Sequence, residues 1–263
     1  MILEPLQYGL GALSGSLVGF ILGLVGGGGS ILAVPLMLYV VGVRDPHLAI
    51  GTSALAVAAN AAIGTITHAR SGTVKWRCAL MYAGAGIAGA VLGSSAGKAF
   101  DGQKLLFLFA VVMVVVGVLM LRDRRAIGDA GAECARENAP KVVGFGLGTG
   151  VFSGLFGIGG GFLIVPGLVA STGMPIINAI GSSLVAVTAF GLTTAINYAL
   201  SGFVDWALAF VFIGGGIVGS LMGTRVAKRL SGTTGLLTTV FAVLIFVVAA
   251  YMLWKSADAF KAI

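Results

Sequence analysis

Gly23-Leu-Val-Gly-Gly-Gly-Gly-Ser-Ile-Leu-Ala-Val-Pro35 recurs without a gap, 131 residues later, as Gly154-Leu-Phe-Gly-Ile-Gly-Gly-Gly-Phe-Leu-Ile-Val-Pro166. The first copy interrupts an apolar run from Tyr8 to Val43. As one straight helix at 1.5 Å per residue, that run would extend about 54 Å. A single crossing of a ~30 Å hydrocarbon core cannot use that length, even with tilt. Four successive glycines, Gly26 to Gly29, make helix continuation costly at roughly 1 kcal/mol each. The run therefore reads as two short helices around a glycine break. The stretch 142–172 repeats the pattern around Gly157-Ile158-Gly159-Gly160-Gly161.

Outward from these breaks, further apolar segments fall at about 48–68, 77–97, 104–121, 178–200, 206–226 and 233–254. Each has the ~20-residue length of one membrane crossing. The composition agrees. Of 263 residues, 58% are hydrophobic and 10% charged, and mean hydropathy is +1.06. A soluble domain of this size needs more charge to cover its surface. The 43 glycines are scattered through the apolar runs, where small residues let membrane helices approach closely. A net charge of +7 invites a nucleic-acid reading, but the basic residues sit in short loops beside apolar segments. That is the positive-inside pattern. The N-terminus lacks a basic n-region, so a cleaved signal peptide is not expected. Cys78 and Cys134 fit no metal or redox spacing and read as free thiols.

The duplication extends past the breaks. At an offset of 130, Ala49-Ile-Gly-Thr-Ser53 lies over Ala179-Ile-Gly-Ser-Ser183, Ser71-Gly72 over Ser201-Gly202, and Trp76 over Trp206. Gly84, Gly86, Gly89, Gly93 and Lys98 then meet Gly214, Gly216, Gly219, Gly223 and Lys228. Compositional bias does not put a Pro, a Trp and a Lys in register. The chain divides into a first repeat at 1–121, a charged linker at 122–141 and a second repeat at 142–263. The glycine rows at 84–93 and 214–223 pack either the two halves or two copies of the chain. Pro35 and Pro166 end or kink the helix after each break, and Trp76 and Trp206 read as interface anchors.

Matched helix breaks in duplicated halves are the signature of a secondary transporter. If each broken segment crosses once, the halves are parallel; if each returns as a hairpin, they are inverted. The hairpin arrangement puts about 11 of the 16 Lys and Arg on one side, and single crossing about 10. Charge barely separates the two, and the length of the first run favours the hairpin. The fold expected is an all-α polytopic membrane protein of two repeats, inverted, each opening with a re-entrant or half-helix segment followed by three membrane helices.

No carboxylate falls inside a span, and no phosphate-binding loop, metal cluster or nucleophile–base pair is present in the sequence. This disfavours a cation pump, direct use of ATP, and an enzyme; neither cofactor nor metal is expected. What the spans do hold is glycine breaks followed by short helices, with small polar side chains nearby. A helix starting at such a break aims free N–H groups and its positive end into it, forming an anion site that needs no basic residue. The candidate substrate-binding residues are Gly27, Gly28, Gly29 and Ser30 at the first break and Gly159, Gly160 and Gly161 at the second. Thr52, Ser53, Ser182 and Ser183 are candidate donors, although hydroxyls within helices also bond their own carbonyls. Asn60 and Asn197 are candidates either as ligand contacts or as interhelical glue.

These residues resemble the TauE/SafE family of sulfite exporters and related anion permeases. The resemblance is carried by Gly26-Gly-Gly-Gly-Ser30 with Val34-Pro35, Ala49-Ile-Gly-Thr-Ser53, the Ser71-Gly-x-Val-x-Trp76 hairpin, and their recurrence in the second half. It implies a small anionic substrate of the sulfite or organosulfonate class, moved in export or import. Ile158 departs from the repeat where the first half has Gly27, so the breaks need not contribute equally. The expectation is a secondary transporter or facilitator of a sulfur-containing anion in the bacterial inner membrane. It would export by alternating access at a site between the repeats, with lipid, and in one arrangement a second copy, as partners. An anion channel and a non-transporting scaffold or sensor are the rivals. Single-channel conductance marks the first, and absence of ligand-induced stabilisation across an anion panel marks the second.

Overall fold

The computed structural model describes residues 4–122, 134, 137–157, 161–230, 243 and 245–254. They form helices α1 (Pro5–Val25), α2 (Ala33–Tyr39), α3 (Pro46–Arg70), α4 (Trp76–Ala99), α5 (Gly102–Arg122), α6 (Ala139–Phe156), α7 (Gly161–Thr172), α8 (Ile176–Ala199), α9 (Trp206–Leu230) and α10 (Ile245–Trp254). No strand occurs among the described residues. Prolines open several helices, where a missing N–H costs nothing: Pro5 heads α1, and Pro46 heads α3 behind Asp45, whose carboxylate caps the His47 N–H at 2.8 Å. Five helical stretches, Pro5–Tyr39, Pro46–Arg70, Trp76–Ala99, Ile176–Ala199 and Trp206–Val226, are long and apolar enough to cross a membrane.

The first of these is not a rod. Residues Gly26–Leu32 wind as a 3-10 helix between α1 and α2, and the chain doubles back there. A Cβ built on Gly29 would lie 2.6 Å from the Leu22 Cα on the preceding helix. At the far end, Gln7 Nε2 donates to Val41 O at 2.9 Å, and Gln7 Oε1 accepts the Glu4 N–H. In a straight helix residues 7 and 41 would stand about 51 Å apart. Both ends of the segment therefore lie on one side, as a re-entrant hairpin requires. The expectation of two short helices holds only for the second, because α1 has 21 residues and α2 has 7. Nor do the prolines end their helices. Pro35 lies in the first turn of α2, where no donor is missed, and α7 runs past Pro166 to Thr172.

Glycine sets the packing between halves. On α1, Gly15, Gly19 and Gly23 meet the backbones of Phe212, Gly216 and Ser220 on α9. On α6, Gly146, Gly150 and Gly154 meet those of Tyr82, Gly86 and Ala90 on α4. These are the same contacts shifted by the offsets of 131 and 130 seen in the sequence. The first helix of each half thus lies against the third helix of the other. The glycine rows of α4 and α9 take the reciprocal part, Gly89 and Gly93 against Leu147 and Val151, and Gly219 and Gly223 against Ser16 and Phe20. Of the two uses open to these rows, the fold takes packing of the halves. Between the two crossed pairs, α3 and α8 run antiparallel, with Gly64 beside Leu184 and Gly191 beside Ala58. Trp76 and Trp206 are half exposed where α4 and α9 begin, as interface anchors are.

One expectation is overturned. Cys78 and Cys134 are not free thiols but a disulfide, with Cα atoms 5.4 Å apart. A separation of 56 residues carries no spacing signal; only the fold brings the linker cysteine back over the start of α4. Closing a loop of this size is worth about 4 kcal/mol in the chain-entropy model. A maleimide–polyethylene-glycol gel shift on denatured protein is expected to add no tag without reductant, two after reduction, and one in Cys78→Ser without reductant.

Candidate functional site: two glycine breaks in contact

The two breaks, 131 residues apart in sequence, touch. A Cβ on Gly27 would lie 2.7 Å from Gly161 Cα and 2.6 Å from Val187 Cγ2 on α8. The Gly27 carbonyl comes up to Gly161 at the amino end of α7. Positive backbone angles turn the chain at matching points, with φ of 72° at Gly26 and 65° at Gly157. Gly26 turns against Ile180 of α8 and Gly157 against Ile50 of α3, again related by 130 residues.

Hydroxyl groups fix the first break. Gly27 N–H donates to Ser183 Oγ at 3.1 Å, Ser183 Oγ donates to Ile180 O at 2.8 Å, and Ser30 Oγ donates to Gly27 O at 2.8 Å. All three residues are fully buried. Gly28 is buried within the same turn, and Gly29 fits against α1. On α3, Ser53 Oγ donates to Ile50 O at 3.0 Å. Gly159 and Gly160 lie outside the described residues.

Thr52 and Ser182 do something else. Thr52 Oγ1 accepts the Asp205 N–H and Ser182 Oγ accepts the Lys75 N–H, each at 2.9 Å. They fasten each central helix to the loop entering α9 or α4, and meet donors that a helix start leaves unmatched. Asn197 is also held elsewhere. Its Nδ2 donates to Ser94 Oγ at 2.6 Å and to Ser95 Oγ at 3.0 Å, and its Oδ1 accepts from Lys98 Nζ at 2.6 Å. This cluster lies 14 residues along α8 from Ser183, about 21 Å away. Asn197 is thus interhelical glue near the ends of α4 and α8.

Asn60 is different again. It sits near the middle of α3, fully buried, and neither Nδ2 nor Oδ1 has a partner. Its amide lies against Gly216 of α9, where a Cβ would be 2.6 Å from Oδ1. The second half puts Phe190 at this position, stacked on Tyr82 with ring centroids 6.4 Å apart. Buried hydroxyls without a partner also occur at Ser153 and Thr194, which sequence reasoning missed because a serine or threonine in a helix carries no signal of whether its own carbonyl satisfies it.

The elements that build this region are uncharged over long stretches. Residues 5–43, 46–69 and 142–204 contain no Asp, Glu, Lys or Arg. What converges is backbone, the amino end of α7, hydroxyls and one carboxamide, a polar but neutral lining.

Such an arrangement, two glycine-broken hairpins meeting between crossed helix pairs in a multi-pass membrane protein, defines a membrane transporter. Residues 11–252 match the family model described as sulfite exporter TauE/SafE, and the chain belongs to that family. A "Probable membrane transporter protein" of Xylella fastidiosa (strain 9a5c) is 54% identical over 249 residues, covering 92% of this chain and 94% of the relative. YunE of Bacillus subtilis (strain 168), which carries the same description, is 25% identical and covers 84% of this chain and 88% of its own. No solved structure matches.

Proposed function

We propose that the protein is a secondary transporter that exports a small sulfur-containing anion, sulfite or an organosulfonate, by alternating access between two inverted repeats. The observation that carries this reading is the contact of Gly27 with Gly161, one break from each half, in a region free of charged side chains. Backbone N–H groups and a helix amino end favour an anion there without an opposing basic residue. The Gln7–Val41 bond supports inversion, since a first segment that returns to its own side leaves three crossings in the half. In that topology the basic-rich face is cytoplasmic.

The same close approach supports a carrier over an open pore, because two backbones in contact leave no lumen at that level. Outward movement suits the energetics. With a negative interior, one monovalent anion leaving the cell gains about 2.3 kcal/mol per 100 mV. The sulfur specificity rests on the family likeness. Flux into proteoliposomes of sulfite, sulfate, thiosulfate and a short sulfonate under an imposed potential tests it. Potential-driven movement of at least one sulfur anion is the expected result, and none in correctly inserted protein would sink the proposal.

A further inference from the structure

We infer that the anion crosses in a singly charged form, that Asn60 reads a hydrogen carried by that anion, and that dianions are rejected. This rests on the transport reading above and names the charge class of its substrate.

Charge comes first. Desolvating an ion costs in proportion to the square of its charge, so a dianion pays about four times what a monoanion pays. Repayment needs opposing charge, and the stretches 5–43, 46–69 and 142–204 carry no Lys or Arg. Lys98, at the end of α4, is already engaged by Asn197 and Ser201. The amino end of α7 supplies about half an elementary charge. Hydroxyls and backbone N–H groups can complete the neutralisation of one negative charge but not of two.

Asn60 supplies the independent observation. Ser183, Val187 and Phe190 share one face of α8 at spacings of four and three, and Ser183 and Val187 of that face meet Gly27. Ser53, Val57 and Asn60 occupy the same three positions on α3. Where one copy closes its position with a stacked phenylalanine, the other buries a carboxamide with a free donor and a free acceptor. An amide left so in the interior is unfavourable by its full desolvation. It is accounted for by a ligand that offers both an oxyanion oxygen, for Nδ2, and an O–H or N–H, for Oδ1. Hydrogensulfite and short aminosulfonates have both. Methanesulfonate has the charge but no such hydrogen, and sulfate at neutral pH has neither the charge nor the hydrogen.

The test is initial flux in proteoliposomes of sulfite, methanesulfonate and sulfate, over a pH series that titrates hydrogensulfite to sulfite, in wild type and Asn60→Leu. Wild-type sulfite flux is expected to fall as pH rises, tracking the hydrogensulfite fraction, with methanesulfonate flux flat and sulfate flux at background. In Asn60→Leu, sulfite flux at acidic pH should drop about ten-fold, methanesulfonate flux should change little, and thermal stability should be kept or raised, because leucine leaves no amide unmatched. Sulfate flux comparable with methanesulfonate, or sulfite flux that rises with pH, overturns the charge rule while leaving transport standing. Equal losses for sulfite and methanesulfonate in Asn60→Leu remove Asn60 as the reader of the hydrogen. Failure of all three anions in wild type refutes the transport reading instead.

Discussion

Gly27→Leu is expected to abolish anion flux, by about a hundred-fold or more, while the protein still inserts and elutes as a single species. A Cβ at this position would lie within 2.7 Å of Gly161 Cα and within 2.6 Å of a Val187 methyl. The remaining leucine atoms have no room unless the two breaks separate. Separation also pulls Gly27 N–H from Ser183 Oγ, and with it the geometry the first break presents to an anion. A misplacement of about 1 Å at a reacting or binding centre is enough for a loss of this order. The helices α1 and α2 are held by contacts outside the break, so insertion should survive. Proteoliposome flux normalised to inserted protein, beside a size-exclusion profile, makes the check. Wild-type flux in a well-folded Gly27→Leu would take the breaks out of the transport path.

Gly19→Leu should do the opposite, damaging the fold before the site. Gly19 lies backbone against backbone on Gly216, where a Cβ would stand 2.7 Å from the partner Cα. No rotamer relieves a clash with main chain, and membrane helices associate through such close approach because lipid offers no hydrophobic driving force between them. A loss above about 4 kcal/mol is expected, and with it a fall in thermal midpoint on the order of 10 °C for a chain of this size. Gly150→Leu, at the matching contact with Gly86, should cost a similar amount. Gly84→Leu and Gly214→Leu are the controls, since neither position has a neighbour within 4 Å. Fluorescence thermal unfolding in detergent compares the four. If the controls unfold as early as Gly19→Leu, the packing account fails.

Much of this arrangement was legible because glycine in a membrane helix is informative at some positions and silent at others. A run of four glycines weakens a helix whatever surrounds it, so the break at 26–29 could be located from propensity alone. Length did the rest, because no straight segment from Tyr8 to Val43 fits a bilayer. Single glycines such as Gly84 and Gly86 look alike in sequence, yet one faces open space and the other a helix of the opposite half. Hydroxyls were harder still. Thr52 and Ser53 are neighbours on one helix, but a 100° rotation sends the first to the Asp205 N–H and leaves the second on its own Ile50 carbonyl. Asn60 and Asn197 had equal standing as candidates; the fold gave Asn197 three partners and Asn60 none.

The sequence by itself determined the membrane class, the position of the breaks and the duplication, because these depend on hydropathy, helix propensity and register along one chain. It also determined that the central segments hold no charge. Tertiary structure alone decided that the first segment returns to its own side, through Gln7 and Val41, and that each half packs its first helix on the third helix of the other. It decided, too, that Cys78 and Cys134 are joined and that a carboxamide is buried without a partner. Those outcomes depend on which backbones approach in space, and residues more than a hundred positions apart leave no local trace of their meeting.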